Sequence, residues 1–220
     1  MVCASVAVTH KRDQLIEATL SHVPFDGWTR TALYLAADDI GMSRKEAELA
    51  FPGGQVDLIL YAHGLFDRRM EEKFQEADFV NLRIRDKVSE GIKIRLMIGH
   101  KHRDAMRKAM SVLALPQNIP LGTKALFSTV DKIWYAAGDT ATDWNYYSKR
   151  SLLAGVYSST LLYWLNDKSD NFEASWAFLD RRIANVMQIP KLKAKANDVF
   201  KAALNLPFFK HRTGRDFRVK

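Results

Sequence analysis

His100 and His102, two imidazoles two positions apart, are the first side chains to test for chemistry. A metal ion held between them would lie beside Lys101 and Arg103, whose charges repel a cation, so the pair reads as a solvated face. A di-iron carboxylate bundle needs inward-facing Glu-x-x-His pairs, and no glutamate of the chain is followed three positions later by histidine. Nor does the sequence hold a Gly-x-Ser-x-Gly elbow, a phosphate-binding loop or a dinucleotide fingerprint. Gly53-Gly54 ahead of a helix reads as a linker, although a helix start of that kind can hold an anion. Cys3 is the single cysteine, which excludes an internal disulfide and points to a reducing compartment. The expectation is a chain that is not an enzyme, with no catalytic residue, cofactor or metal of its own, whose task is binding.

The elements that would position a binding site are helices. Strand-type alternation is scarce, and 47% hydrophobic residues in 220 suffice for a sizeable core. Apolar residues at Leu15, Ile16, Ala18, Leu20 and Val23 predict a helix over 13–23 that Pro24 terminates. Thr29 caps a second helix over 30–39 closed by Gly41, and Ser43 caps a third over 44–51 broken by Pro52-Gly53-Gly54. Further helices are predicted over 55–77, 82–98, 103–115, 121–137, 143–165, 172–187 and, after Pro190, to Leu206. The longest strongly apolar stretch, Leu152 to Leu165, is 14 residues and contains Ser158, Ser159 and Thr160, shorter than the ~20 apolar residues a spanning helix needs.

The order Gly27-Trp28-Thr29, Leu33, Leu35, Ala36, Ile40-Gly41-Met42-Ser43 and Phe51-Pro52 resembles the N-terminal helix-turn-helix of TetR-type regulators. The implied fold is all-α and TetR-like: a helix-turn-helix module over 1–54, a helical ligand-binding body over 55–189 and a basic amphipathic tail over 190–220. The net charge of +8 invites an anionic partner, yet residues 1–54 hold five Lys/Arg against seven Asp/Glu. The basic excess lies in 83–108 and in the tail. DNA affinity rests on neutralising phosphates, so a net acidic module with Glu46 and Glu48 in its reading helix favours a packed cap over a nucleic-acid reader. A TetR-like regulator that binds DNA and a small apolar ligand is the competing reading.

Nine of the Trp and Tyr residues fall within 134–176, among them Trp134, Trp144, Tyr146, Tyr147, Tyr157, Trp164 and Trp176. Most belong to a core at helical spacing. Asp139, Asp143, Lys149 and Arg150 are expected to stand exposed beside Tyr146 and Tyr147, a rim of charge round aromatics suited to a protein contact.

This segment, with the run AAGDTATDWNYYSKR and the upstream His22-Val23-Pro24-Phe25-Asp26-Gly27-Trp28-Thr29, closely resembles a ubiquinone (coenzyme Q) biosynthesis accessory family, the ninth of the Coq series. Asp131, Trp134, Asn145 and Phe178-Leu179 extend the likeness over nearly the whole chain. The resemblance implies a TetR-like protein that binds an isoprenoid or quinone lipid and presents it to demethoxyubiquinone hydroxylase at the membrane. It also implies partner-binding residues Ile133, Trp134, Ala136, Asp143, Tyr146 and Tyr147, to which the charged rim adds Arg150. One departure is Tyr146, where mitochondrial members tend to carry Trp; the indole here stands at Trp144. Trp134, Tyr157, Leu161, Trp164 and Trp176 are the lipid-binding candidates, and the last body helices, 143–165 and 172–187, those for a homodimer interface.

In the tail, Leu192, Ala196, Val199, Phe200, Ala203 and Leu204 form one stripe, followed by Phe208 and Phe209 and flanked by lysines. Such a stripe suits a helix in the interface of an anionic bilayer, and the resembling family uses its last amphipathic helix in this way. The membrane-binding residues are expected to be Leu192, Val199, Phe200, Leu204, Phe208 and Phe209. The N-terminus shows no presequence pattern, which fits a bacterial member that is cytoplasmic and peripherally associated with the inner membrane.

Overall fold

In the computed structural model the described residues are 2–139 and 144–186, with side chains described over 8–139 and 147–186. Asp143, Trp144 and Tyr146 as contact residues, and the whole tail with Leu192, Val199, Phe200, Leu204, Phe208 and Phe209, therefore lie outside what is described here. Nine helices and short 3-10 turns, with no strand, make up the described chain. They are α1 (Val2–Asp26), α2 (Arg30–Asp39), α3 (Arg44–Ala50), α4 (Gly54–Glu76), α5 (Ile84–Ile98), α6 (Arg103–Leu113), α7 (Ile119–Ala136), α8 (Trp144–Asn166) and α9, helical from 173 to 186. No helix among the described residues is long and apolar enough to cross a membrane.

The helix-turn-helix is set by its caps. Thr29 accepts a hydrogen bond from the Ala32 N–H at the start of α2, and Gly41 turns the chain at φ +68. Ser43 and Glu46 close a reciprocal capping box on α3. Two prolines behave otherwise than the sequence predicts. Pro24 does not end α1, which runs on to Asp26. In the last turn the lost proline N–H costs one bond; Lys108 donates to the Pro24 carbonyl (2.9 Å), and Gly27, at φ +71, ends the helix by donating to the Val23 carbonyl. Pro120 lies in the first turn of α7, where no intrahelical N–H is required, so α7 begins at Ile119.

Residues 1–179 form one compact unit. Its hydrophobic core runs without interruption from the helix-turn-helix into the body: Leu15, Leu20, Trp28, Leu33 and Phe51 belong to the same buried cluster as Leu58, Ile59, Phe66 and Ala105. Trp28 makes the join specific, its indole N–H donating to the Ala105 carbonyl at 2.9 Å. Behind this layer α4 packs on α5 and α7, and α7 on α8. Gly91 permits a close approach of α5 to α7, since a Cβ there would lie 3.1 Å from Ile133 Cγ2. The second unit begins at Asp180, and its described part continues α9 to 186.

Candidate functional site

An apolar cleft opens between α4, α6, α7 and α8. A chamber of 280 Å³ is walled by Met110, Leu113, Leu126, Tyr157 and Leu161, with His63 as its principal polar wall. A smaller space of 60 Å³ adjoins it on the α5 side and shares His63, Met110, Leu113, Tyr157 and Leu161. Ile119 lines the larger chamber and is 52% exposed, which places the mouth at the start of α7. Each wall follows from helical period: Tyr157 and Leu161 are one turn apart on α8, and Met110 and Leu113 three apart on α6.

The floor is polar and buried. Asp67 of α4 and Arg95 of α5, both about 1% exposed, pair through Nε and Oδ1 at 2.6 Å. Thr129 of α7 donates to the Asp67 carboxylate at 2.9 Å, and a second guanidinium nitrogen donates to the His63 carbonyl at 3.3 Å. Arg95 Nη1 is buried with no hydrogen-bond partner, and the guanidinium stands 5.3 Å from the centre of the Phe66 ring. The His63 imidazole lies 3.6 Å from Asp67. Burial foremost, then the nearby Arg95 charge, pulls its pKa from 6.5 to about 4, against the opposing pull of Asp67. Burial likewise pushes the Tyr157 phenol up.

A depressed histidine pKa has a determinate sign. Between pH 6.5 and about 4 the unfolded chain takes up a proton that folded His63 refuses, so His63 costs nothing above this window, destabilises progressively as the pH falls through it, and adds no further loss below it. On acidification through the window the fold loses up to about 3 kcal/mol on this account. Urea midpoints of the wild type and His63→Leu, compared at pH 7 and pH 4.5, are expected to diverge with the variant losing less. Parallel losses in the two proteins would refute the assignment.

Sequence reasoning missed the floor, although a signal was present. Asp67 falls on the apolar stripe of α4 carrying Ile59, Phe66, Met70 and Phe74, and Arg95 on the α5 stripe carrying Val88, Ile92 and Leu96. Opposite charges on the buried faces of consecutive helices mark an internal pair. Of the five lipid-binding candidates, Tyr157 and Leu161 line the cleft. The other three do not line it. Trp164 is fully buried, with the Arg103 guanidinium 5.1 Å from its ring; Trp176 donates to the Asn171 carbonyl; Trp134 is half-buried, with Lys149 Nζ 5.6 Å from its ring centre.

The corner between α7 and α8 departs from the expected charged rim. Arg150 is buried, not exposed: its Nε meets Asp131 at 2.6 Å and its Nη1 approaches Asp139 at 3.6 Å. Lys149 binds the buried Asp139 carboxylate at 2.7 Å. Arg150 and Asp139 bury each other, and their attraction offsets their desolvation cost, so this pair ties α8 to the end of α7 instead of facing solvent. Ile133 is fully buried against Gly91 and presents no surface to a partner. Tyr147, at 68% exposure, is accessible as expected, and Ala136 and Trp134 are half-buried.

Elsewhere, His100 and His102 share a short 3-10 turn but differ in setting. His100 is exposed, whereas His102 is half-buried and stacks on Phe66 at 6.3 Å. On the helix-turn-helix, Arg44 pairs with Asp38 at 3.1 Å, Arg30 approaches Glu48 at 3.9 Å, and Tyr34 donates to Glu48. Two of the basic side chains a DNA phosphate would need on this face, Arg30 and Arg44, are thus met by carboxylates.

Residues 119–190, which take in α7, α8 and the described part of α9, match the family described as COQ9. Over 183 residues, 80% of the chain, the sequence is 34% identical to "Ubiquinone biosynthesis protein COQ9, mitochondrial" of Rattus norvegicus and 32% identical to that of Homo sapiens, covering 58% and 57% of those proteins. The Drosophila melanogaster protein of the same name is 28% identical over 91% of the chain and is covered to 64%. The chain therefore spans about three fifths of the length of the curated relatives it matches. In fold it is similar to a TetR transcriptional regulator of Nitrosomonas europaea, with a TM-score of 0.67 and 22% identity over 80% of this chain and 98% of that one.

Proposed function

We propose that this chain, similar to the COQ9 family over residues 119–190 and to curated COQ9 proteins over 80% of its length, serves ubiquinone biosynthesis as a lipid-binding accessory protein, not as a catalyst. It holds an isoprenoid or quinone precursor and presents it to demethoxyubiquinone hydroxylase at the membrane. The observation that carries the lipid reading is the cleft walled by Met110, Leu113, Leu126, Tyr157 and Leu161. At 280 Å³, with the 60 Å³ space adjoining it, it is close to the lower end of ligand cavities, roughly 300–1,000 Å³, which suits a ring directed toward the smaller space and the first carbons of a chain whose remainder leaves past Ile119. The hydroxylase is met by exposed aromatic surface near the start of α8, with Tyr147 in its described part. The tail stripe of Leu192, Val199, Phe200, Leu204, Phe208 and Phe209 supplies the membrane contact, and a second copy docks through the last body helices.

The carboxylates facing Arg30, Arg44 and Tyr34 favour this reading over DNA binding. Native mass spectrometry of the full chain, purified under mild conditions from a quinone-producing host, is expected to reveal a bound isoprenoid or phospholipid. Leu161→Trp, which fills the cleft from α8, is expected to lower its occupancy about tenfold, the equivalent of ~1.4 kcal/mol. A wild-type chain that neither carries nor takes up lipid overturns the reading.

A further inference from the structure

Arg95 is the unexplained group of the cleft. It is 1% exposed, lines the smaller chamber, and spends Nε on Asp67 and a second nitrogen on the His63 carbonyl, while Nη1 has no partner. An unpaired buried donor on a charged group is costly, and proteins usually satisfy it with a water or a ligand. Resting on the lipid reading above, we propose that Arg95 Nη1 is the donor for the head of the bound ligand, and that this head is an uncharged oxygen acceptor of the ring-carbonyl class.

The charge balance selects that class. Asp67 already neutralises Arg95, and Thr129 donates to the same carboxylate, so the floor has a vacant hydrogen-bond donor but no uncompensated positive charge. An anionic head would lose its hydration for the field of a balanced pair, and an ammonium head would oppose a donor with a donor. A carbonyl oxygen satisfies Nη1 while bringing no charge. The neighbouring walls suit a flat ring: the Phe66 ring packs on the guanidinium, Trp28 lines the same chamber, and His63 remains neutral at physiological pH.

The test uses the full chain and three probes with the same alkyl tail: decyl-benzoquinone, decylbenzene and 4-decylbenzoate, titrated calorimetrically. The quinone is expected to bind roughly tenfold or more tightly than decylbenzene, as a charge-assisted hydrogen bond implies, and more tightly than the benzoate. Its carbonyl infrared band should fall in frequency on binding. The double variant Asp67→Leu with Arg95→Met removes the pair as a unit, so no buried charge is left alone. It is expected to retain decylbenzene and to lose both the quinone preference and the band shift. Equal binding of quinone and decylbenzene to the wild type, tighter binding of the benzoate, or an unshifted carbonyl band overturns this inference and leaves the lipid reading standing. Failure of the wild type to bind any of the three overturns the lipid reading itself. The band position in the wild type decides the matter even where the double variant does not fold.

Discussion

Asp67→Ala is expected to remove about 3–5 kcal/mol of stability, a large share of the ~5–15 kcal/mol that holds a typical domain together. The aspartate is one partner of a pair buried on both sides, so its loss leaves Arg95 charged in the interior with Nε unpaired as well as Nη1. Thr129 loses its acceptor in the same step. The pair itself contributes little relative to a hydrophobic replacement; the cost comes from stranding a charge. Chemical denaturation should therefore show a large loss for Asp67→Ala and recovery of most of it when Arg95→Met is added. Losses that simply add in the double variant would show that the two side chains do not interact in the fold.

Trp164→Ala is expected to cost about 3–5 kcal/mol as well, by a different mechanism. The indole is fully buried near the C-terminal end of α8, with the Phe172 ring 5.6 Å away and the Arg103 guanidinium 5.1 Å from its centre. Truncation leaves a cavity and withdraws the surface on which Arg103 rests while that arginine donates to the Trp164 and Asp167 carbonyls. The melting temperature should fall by roughly 10 °C, taking about 2–4 °C per kcal/mol for a chain of this size. Leu162→Ala, two positions earlier but 53% exposed, serves as the control and should change stability by less than about 1 kcal/mol. A similar loss in both variants would refute the assignment of Trp164 to the core.

The helices were legible because their signals are local. Thr29, Ser43, Gly41 and the apolar period of α4 report on neighbours three or four residues away, and the structure places α2 and α3 within a residue of where these signals put them. Pro24 misleads by three residues and Pro120 by two, because a proline's effect depends on which turn it occupies. The cleft was legible only in part. Tyr157 and Leu161 face it whereas Trp164 faces Arg103, although all three are large, apolar or aromatic and on one helix. Side-chain type separates core from surface but not a filled interior from an empty one. Arg150 reads as exposed for the same reason: a charged residue reads as solvated until the carboxylate that buries with it, Asp139 just past the end of α7, is known.

Helix α8 is held at both ends. Near its start Lys149 and Arg150 are bound to Asp139 and Asp131, and at its finish Arg103 and Arg107 donate to the carbonyls of Trp164 and Leu165. Between these anchorages stand Tyr157 and Leu161, the residues that line the cleft. In mechanical terms α8 is a beam clamped at each support and loaded at mid-span, the arrangement that deflects least. The opposite wall at the mouth, from Leu115 through the first turns of α7, carries exposed Leu115, Ile119 and Leu121. Compliance of the cleft is therefore concentrated on one side. Amide hydrogens of 116–123 should exchange with solvent faster than those of 155–161, and filling the cleft should slow the former set more.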